Sequence, residues 1–358
     1  MDVKRLPRIH SLPQQFDPLG VRGVHGPVPV STRNRRWALL LVSFAFSAAA
    51  LYLVFRDVSW PLLWQESRRV RLGVYAWTYP ISALGFASLA WRIRVLAGTQ
   101  TQLSFMTALR SVFAGYLGNA ALPARVGEVL KAAYIARQAR LPFGAALAWI
   151  AVERLVDLCC VLCCALWIVP WVMGKSAMGD GVMLFVVLAM VGMAAVVMAT
   201  LRPVWFSKIV KMVLPLLGQR LSQWLDPKLE SFLQGLGALA RPRTALAMLL
   251  CTLVYWACTV ATMQLWLQAF ELSVPWYGSL LLLAFLALGT ALPAAAAYIG
   301  TYHFAVVAAL GVLGVARETG AALALFVHAA GLIPWVTVSI LVLLPSILRG
   351  ELVGQKAR

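Results

Sequence analysis

Charge is scarce in this chain, and acid is scarcest. Of 358 residues only 12% are charged, with 13 Asp and Glu against 31 Lys and Arg, and there are four histidines. Soluble domains carry roughly 25% charged and about 45–50% apolar residues, so 12% charged beside 61% hydrophobic excludes an ordinary soluble globule. That much apolar surface excludes a disordered chain as well. No nucleic-acid motif accompanies the net charge of +18, so nucleic acid is not expected as a partner. Metal, nucleotide and nucleophile motifs are missing too, and no cofactor is expected. The six cysteines all fall inside apolar runs; Cys160 and Cys163 form a C-x-x-C, but with no His or carboxylate at metal-ligand spacing the cysteines read as small buried hydrophobes. What remains is an all-α polytopic membrane protein with a mean hydropathy of +0.82. Its basic surplus would then face anionic lipid headgroups at the cytoplasmic surface.

Residues 1–36 hold five prolines and a run of Lys and Arg, and read as a disordered basic cytoplasmic tail, too long for the leader of a signal peptide. Residues 37–345 form the membrane domain and 346–358 a cytoplasmic C-terminal tail. Six stretches reach the roughly 20 apolar residues that a full span needs: 37–55, 73–91, 143–172, 181–201, 244–270 and 321–345. Two more apolar segments, 104–122 and 277–314, are interrupted at Pro123 and Pro293. They read as re-entrant helical hairpins, with proline-kinked spans as the alternative. Residues 202–243 are basic and half apolar, an amphipathic connector expected along the cytoplasmic leaflet. The positive-inside rule places both termini and this connector in the cytoplasm. Arg56, Arg68, Arg69 and Arg71 then fall on the outside, against the rule.

The chain repeats itself. Ala-Leu-Pro-Ala occurs at 121–124 and 291–294, and Gly-Ala-Ala-Leu-Ala follows at 144–148 and 320–324. Gly118-Asn119 leads into the first proline and Gly289-Thr290 into the second. Three expected spans lie between the copies, and an odd number turns the second copy over. Inverted repeats with broken helices that meet near the midplane recur in transporters, and irregular backbone at that depth persists where protein or a water-filled cavity satisfies it.

Charged groups cluster where apolar ones are expected. Arg125, Glu128 and Lys131 follow Pro123 at helical spacing, and the next span opens with Glu153, Arg154 and Asp157. Each ionised group at a span's centre costs about 2.5–3.5 kcal/mol on insertion scales, so these need partners or water. With Arg110 counted, four cations face three anions, leaving one positive charge for an anionic headgroup beside a helix N-terminus. The alternative is a structural ion-pair network, or charges reaching up to the interface. The second half instead offers Tyr298, Gly300, Thr301, Tyr302, His303 and His328; the histidines read as core groups.

Asn119, Pro123, Arg125, Gly127 and Glu128, followed by Glu153-Arg154-Leu155 and Asp157, resemble the signature of the lysylphosphatidylglycerol synthase transmembrane family, also called flippase-like, which includes hopanoid-associated membrane proteins. The resemblance covers about residues 37–345. Pro293 and Gly300-Thr301-Tyr302 are similar to the family's second-half pattern, although Ala294 to Ala297 stand where glycines are common. The resemblance implies a lipid translocase and no aminoacyl transfer, since about twelve residues follow the last span.

The expectation is an inner-membrane lipid flippase with six full spans and two re-entrant hairpins in an inverted repeat. Its partner is a membrane lipid (phospholipid, hopanoid or polyprenyl-linked), and homo-oligomerisation is left open. Asn119, Arg125 and Arg154 would take the headgroup, with Glu128, Glu153 and Asp157 orienting the cations. Gly127 and Gly300 would allow close backbone approach, and Tyr302 joins the substrate-binding set. Two other classes stay open: an enzyme on a lipid-linked substrate with Glu128 or Asp157 as base, and a non-transporting partner subunit that docks a lipid-synthesis enzyme through 202–243.

Overall fold

In the computed structural model, which describes residues 30–98, 101–123, 125–173, 202–218, 241–291 and 294–349 with residues 191, 198, 222 and 229, helix α1 (Val30–Phe55) starts directly after Pro29. The expected tail therefore gives way to helix at Val30. No Gly or Pro interrupts 30–55, so each added residue extends the helix by one hydrogen bond at little entropic cost. After Phe55 the chain bends by 86° into α2 (Trp60–Arg68), whose Pro61 lies in the first turn, where a missing N–H does no harm. A short α3 (Leu72–Ala76) leads into α4 (Thr78–Ala97). The span expected at 73–91 is thus broken at Trp77 and continues to Ala97, taking Arg92 and Arg94 with it.

Next come α5 (Phe105–Ala121) and α6 (Gly127–Ala139), then α7 (Phe143–Met173), α8 (Pro203–Val213) and α9 (Pro242–Ala269). The C-terminal part holds α10 (Gly278–Ala291), α11 (Thr301–Val312) and α12 (Arg317–Leu348). Among the described residues there is no strand. Helices α7, α9 and α12, with 31, 28 and 32 residues, are long and apolar enough to cross a membrane, and α1 with α2 makes a fourth if the bent pair is one span. Where six full spans are expected, the described residues thus hold three clear ones. Tyr, Ser and two Arg dilute α4, and the segment 181–201 lies almost wholly outside the described residues. Leu246, Leu249, Leu250 and Leu253 on α9, with Trp167 and Trp171 on α7, are exposed, an apolar surface that suits lipid and not water.

Helices α5 and α6 pack along each other, as do α10 and α11. With 17, 13, 14 and 12 residues, at about 1.5 Å per residue they measure about 18–25 Å, short of the roughly 30 Å hydrocarbon core. Each pair is a hairpin whose arms meet through small residues. A Cβ on Gly118 would lie 2.6 Å from Gly127 Cα, and one on Gly289 would lie 2.7 Å from Ala305 Cβ. One apolar core surrounds the second hairpin, with Leu282, Leu286, Val306 and Leu310 against Leu267 and Leu323; another surrounds the first, with Val112, Ala132 and Ile135 against Ile93, Trp149 and Val152.

The arginines of the 56–71 loop are engaged. Arg56 bonds Asp57 at 2.9 Å, Arg69 bonds Glu66 at 3.1 Å, Arg71 lies 3.8 Å from Glu271, and Arg68 sits over Trp64. Asp57 also accepts from Arg317 at 3.1 Å. In the connector, α8 exposes Val204, Trp205, Ile209 and Met212 beside Lys208 and Lys211, the mixture of an interfacial helix; residues 219–240 lie almost wholly outside the described set. Of the six cysteines only Cys159 and Cys258 are buried, and Cys163 is exposed. A thiol loses nothing facing lipid, so an apolar run does not imply burial.

Candidate functional site

Between the two hairpins lies a cavity of about 460 Å³. Hairpin one supplies Gly115, Tyr116, Asn119, Glu128 and Lys131; hairpin two supplies Thr290, Tyr298 and Tyr302. Arg154 of α7 and parts of α3, α4, α9 and α12 close the rest.

The turn that opens hairpin one is built on local chemistry. Leu122 is extended ahead of Pro123, and Arg125 then takes a left-handed φ of 56°. Arg125 therefore precedes α6 and does not share its face with Glu128 and Lys131, as the spacing suggested. The Gly127 N–H, one of the unpaired donors of the new helix, donates to Asn119 Oδ1 at 2.9 Å. A side chain at Gly127 would run into the Gly115 carbonyl. In hairpin two, Gly300 has φ 94° and lies against the Ser47 backbone of α1, while Ala295 N–H donates to Ser47 Oγ at 2.9 Å. Both glycines permit the close approach expected of them, helix to helix, and neither lines the cavity.

Six charged groups form one network. Lys131 Nζ donates to Glu153 Oε2 at 2.6 Å. Arg92 Nη1 donates to Asp157 Oδ1 at 2.6 Å and its Nη2 to the Glu153 carbonyl at 3.1 Å, with Nε 3.6 Å from Glu153 Oε1. Arg154 lies 3.2 Å from Asp157 and 3.8 Å from Glu128. Arg92, Lys131, Glu153 and Asp157 are buried, so these charges do not reach up to an interface. Arg154, by contrast, keeps 42% of its side chain accessible and lines the cavity. Glu153 and Asp157 therefore work as the structural alternative foresaw, tying hairpin one and α4 to α7. Glu128 and Arg154 are the charged pair that faces open space.

Two expected members sit elsewhere. Arg110 donates to the Val342 carbonyl at 3.3 Å, tying α5 to α12. Arg125 is exposed, donates to Thr290 Oγ1 at 3.2 Å and lies 5.7 Å from the Tyr298 ring centre, joining the two hairpins beside these two lining residues. Arg92 was missed because it falls one residue past the expected end of its span. The signal was present, since an arginine between Trp91 and Ile93 on a continuing apolar helix demands a carboxylate. The network thus sets Arg92, Lys131 and Arg154 against Glu128, Glu153 and Asp157, three against three.

In hairpin two the histidines are paired, not separate. Gly300 N–H donates to His303 Nδ1 at 3.4 Å, and His303 Nε2 lies 3.3 Å from His328 Nδ1. Tyr302 stacks on His328 with ring centres 4.5 Å apart. The pair pins the irregular backbone at Gly300 to α12.

A family model described as the lysylphosphatidylglycerol synthase TM region matches residues 40–339. Comparison with curated proteins finds no match.

Proposed function

Because this chain belongs to the lysylphosphatidylglycerol synthase transmembrane family, we propose that it is a lipid translocase, moving a polar headgroup between leaflets while the acyl chains stay in the bilayer. The observation that carries this reading is the cavity between two helical hairpins too short to span, each broken at its tip. Such a cavity gives a headgroup a polar place inside a membrane protein, and the broken backbone lies where a cavity can hydrate it. The hairpins are read as inverted copies: Gly118 and Gly289 occupy equivalent crossings, and Asn119 and Thr290 equivalent polar positions next to them. No bond-making step is included. Of the two candidate bases of the enzyme alternative, Asp157 is held between two arginines, whereas Glu128 lies 3.8 Å from Arg154 and lines the cavity, so that alternative would rest on Glu128. The protein would sit in a bacterial inner membrane with both termini in the cytoplasm.

In this reading Arg125 meets the headgroup first. It stands at a helix N-terminus that already favours an anion, and a guanidinium grips a phosphate through two parallel hydrogen bonds. Arg125→Lys keeps the charge without that geometry and should slow leaflet exchange of labelled phospholipid in liposomes; Arg125→Gln should slow it further. Lys208→Gln on α8 is the surface-charge control, with rates normalised to folded protein. Wild-type exchange by Arg125→Gln removes this position as the headgroup's entry.

A further inference from the structure

The lining of the cavity speaks to which headgroup fits. Its lining is rich in aromatic side chains, Trp266 and Trp335 together with tyrosines of both hairpins. Four hydroxyls on that lining, those of Ser82, Tyr116, Thr262 and Tyr302, make no hydrogen bond to any described residue. Asn119 uses its amide oxygen on Gly127 and keeps its NH2 for the cavity. Each of these groups opens onto the cavity, so its hydrogen-bond partner is water or a hydroxyl of whatever enters.

Charge argues in the same direction. The network beside the cavity is balanced, and every carboxylate in it already faces a cation within 4 Å. A headgroup carrying an ammonium finds no free carboxylate there and meets the accessible Arg154 guanidinium, which repels it. An anionic group inside the cavity would unbalance the network in the opposite sense. One cation has no carboxylate partner among the described residues at this site: Arg125, which is exposed and not part of the lining.

We infer that the cavity takes the uncharged, polyhydroxylated headgroup of a glycosyl lipid, with Arg125, outside the lining, as the place for a phosphate where such a lipid carries one. The inference rests on the translocase reading for the route the headgroup takes, but concerns the chemistry of the cavity itself. Sugar hydroxyls satisfy Ser82, Tyr116, Thr262, Tyr302 and the Asn119 amide as donors and acceptors in turn, and the apolar faces of the ring lie on the aromatic side chains of the lining. A volume of about 460 Å³ is within the usual range for a small-molecule site of about 300–1,000 Å³.

The test is competition for the purified full-length protein in detergent micelles, read by native mass spectrometry. Three dioleoyl probes are offered in equal amounts: diglucosyl diacylglycerol, phosphatidylglycerol and lysylphosphatidylglycerol. The glucosyl lipid should be retained at least tenfold over the lysyl lipid. Tyr116→Phe combined with Tyr302→Phe should lower its retention about tenfold and leave phosphatidylglycerol unchanged; Thr262→Val, at a separate position, should act in the same direction. Preferential retention of either phospholipid overturns the inference, as does an unchanged preference in folded hydroxyl-free variants. Leaflet exchange of the same probes, run in parallel, judges the other claim: no exchange of any probe removes the translocase reading, while retention still decides the headgroup.

Discussion

Arg92 is the residue on which the buried network turns. Its guanidinium is wholly buried, 2.6 Å from Asp157 and 3.6 Å from Glu153. Replacing it in Arg92→Met leaves Glu128, Glu153 and Asp157 facing only Lys131 and Arg154, one uncompensated negative charge in the interior. Removing one partner of a buried pair costs about 3–5 kcal/mol, because the charge left behind keeps its desolvation penalty and loses its compensation. Asp157→Asn should cost a similar amount by stranding the arginine. The double variant Arg92→Met with Asp157→Asn removes one charge of each sign and restores balance, so it should be no less stable than the worse single variant. The coupling expected for groups in direct contact is about 0.5–3 kcal/mol. Unfolding by SDS in mixed micelles, followed by tryptophan fluorescence, reads all three variants on one scale. Strict additivity, with the double variant losing the sum of both singles, would refute the reasoning. So would wild-type stability of Arg92→Met, which would mean that water solvates the network.

Gly127→Ala should sharply reduce folded protein, because the new methyl group meets the Gly115 carbonyl of the facing arm; a normal yield and melting temperature would mean that the two arms are not so close. Glu153→Ala paired with Arg154→Ala should not be rescued, since Glu153 is held by Lys131 and Arg92, whereas Glu153→Ala paired with Lys131→Ala should be; the same SDS titration distinguishes them. The proposed orientation predicts that a cysteine at residue 178 labels from outside and one at residue 230 from the cytoplasm, in a background lacking the six cysteines. Labelling of residue 230 from outside ends the inverted-repeat argument.

Much of the scaffold is legible in the sequence because its causes are local. Apolar length marks α7, α9 and α12, and proline at 123 and 293 marks where two apolar segments break into shorter helices. Each Gly-plus-polar lead-in marks an arm crossing that only a small residue allows. The site is less legible. Arg125 has a positive φ, a state that neither periodicity nor residue type announces for an arginine, and so its distance from the Glu128 and Lys131 face could not be read. Glu153 and Asp157 stand out as charges in an apolar run, but their partners come from α6 and α4, far along the chain. His303 and His328 are 25 positions apart and meet only because α11 packs on α12. In each case the missing information is tertiary: which helices become neighbours.

Filling the cavity tests the translocase account most directly. Gly331 lines it, and a Cβ there meets nothing within 4 Å, so Gly331→Phe should place a ring in the cavity without disturbing α12. Gly311→Phe is the control: its Cβ also points into open space, but the residue is not part of the lining. In liposomes holding equal amounts of folded protein, labelled lipid should change leaflet faster than in protein-free vesicles. Gly331→Phe should cut that rate at least tenfold, and Gly311→Phe should leave it unchanged. Exchange by Gly331→Phe at the wild-type rate would contradict the account, because the lipid would then be crossing by a route that does not use this cavity.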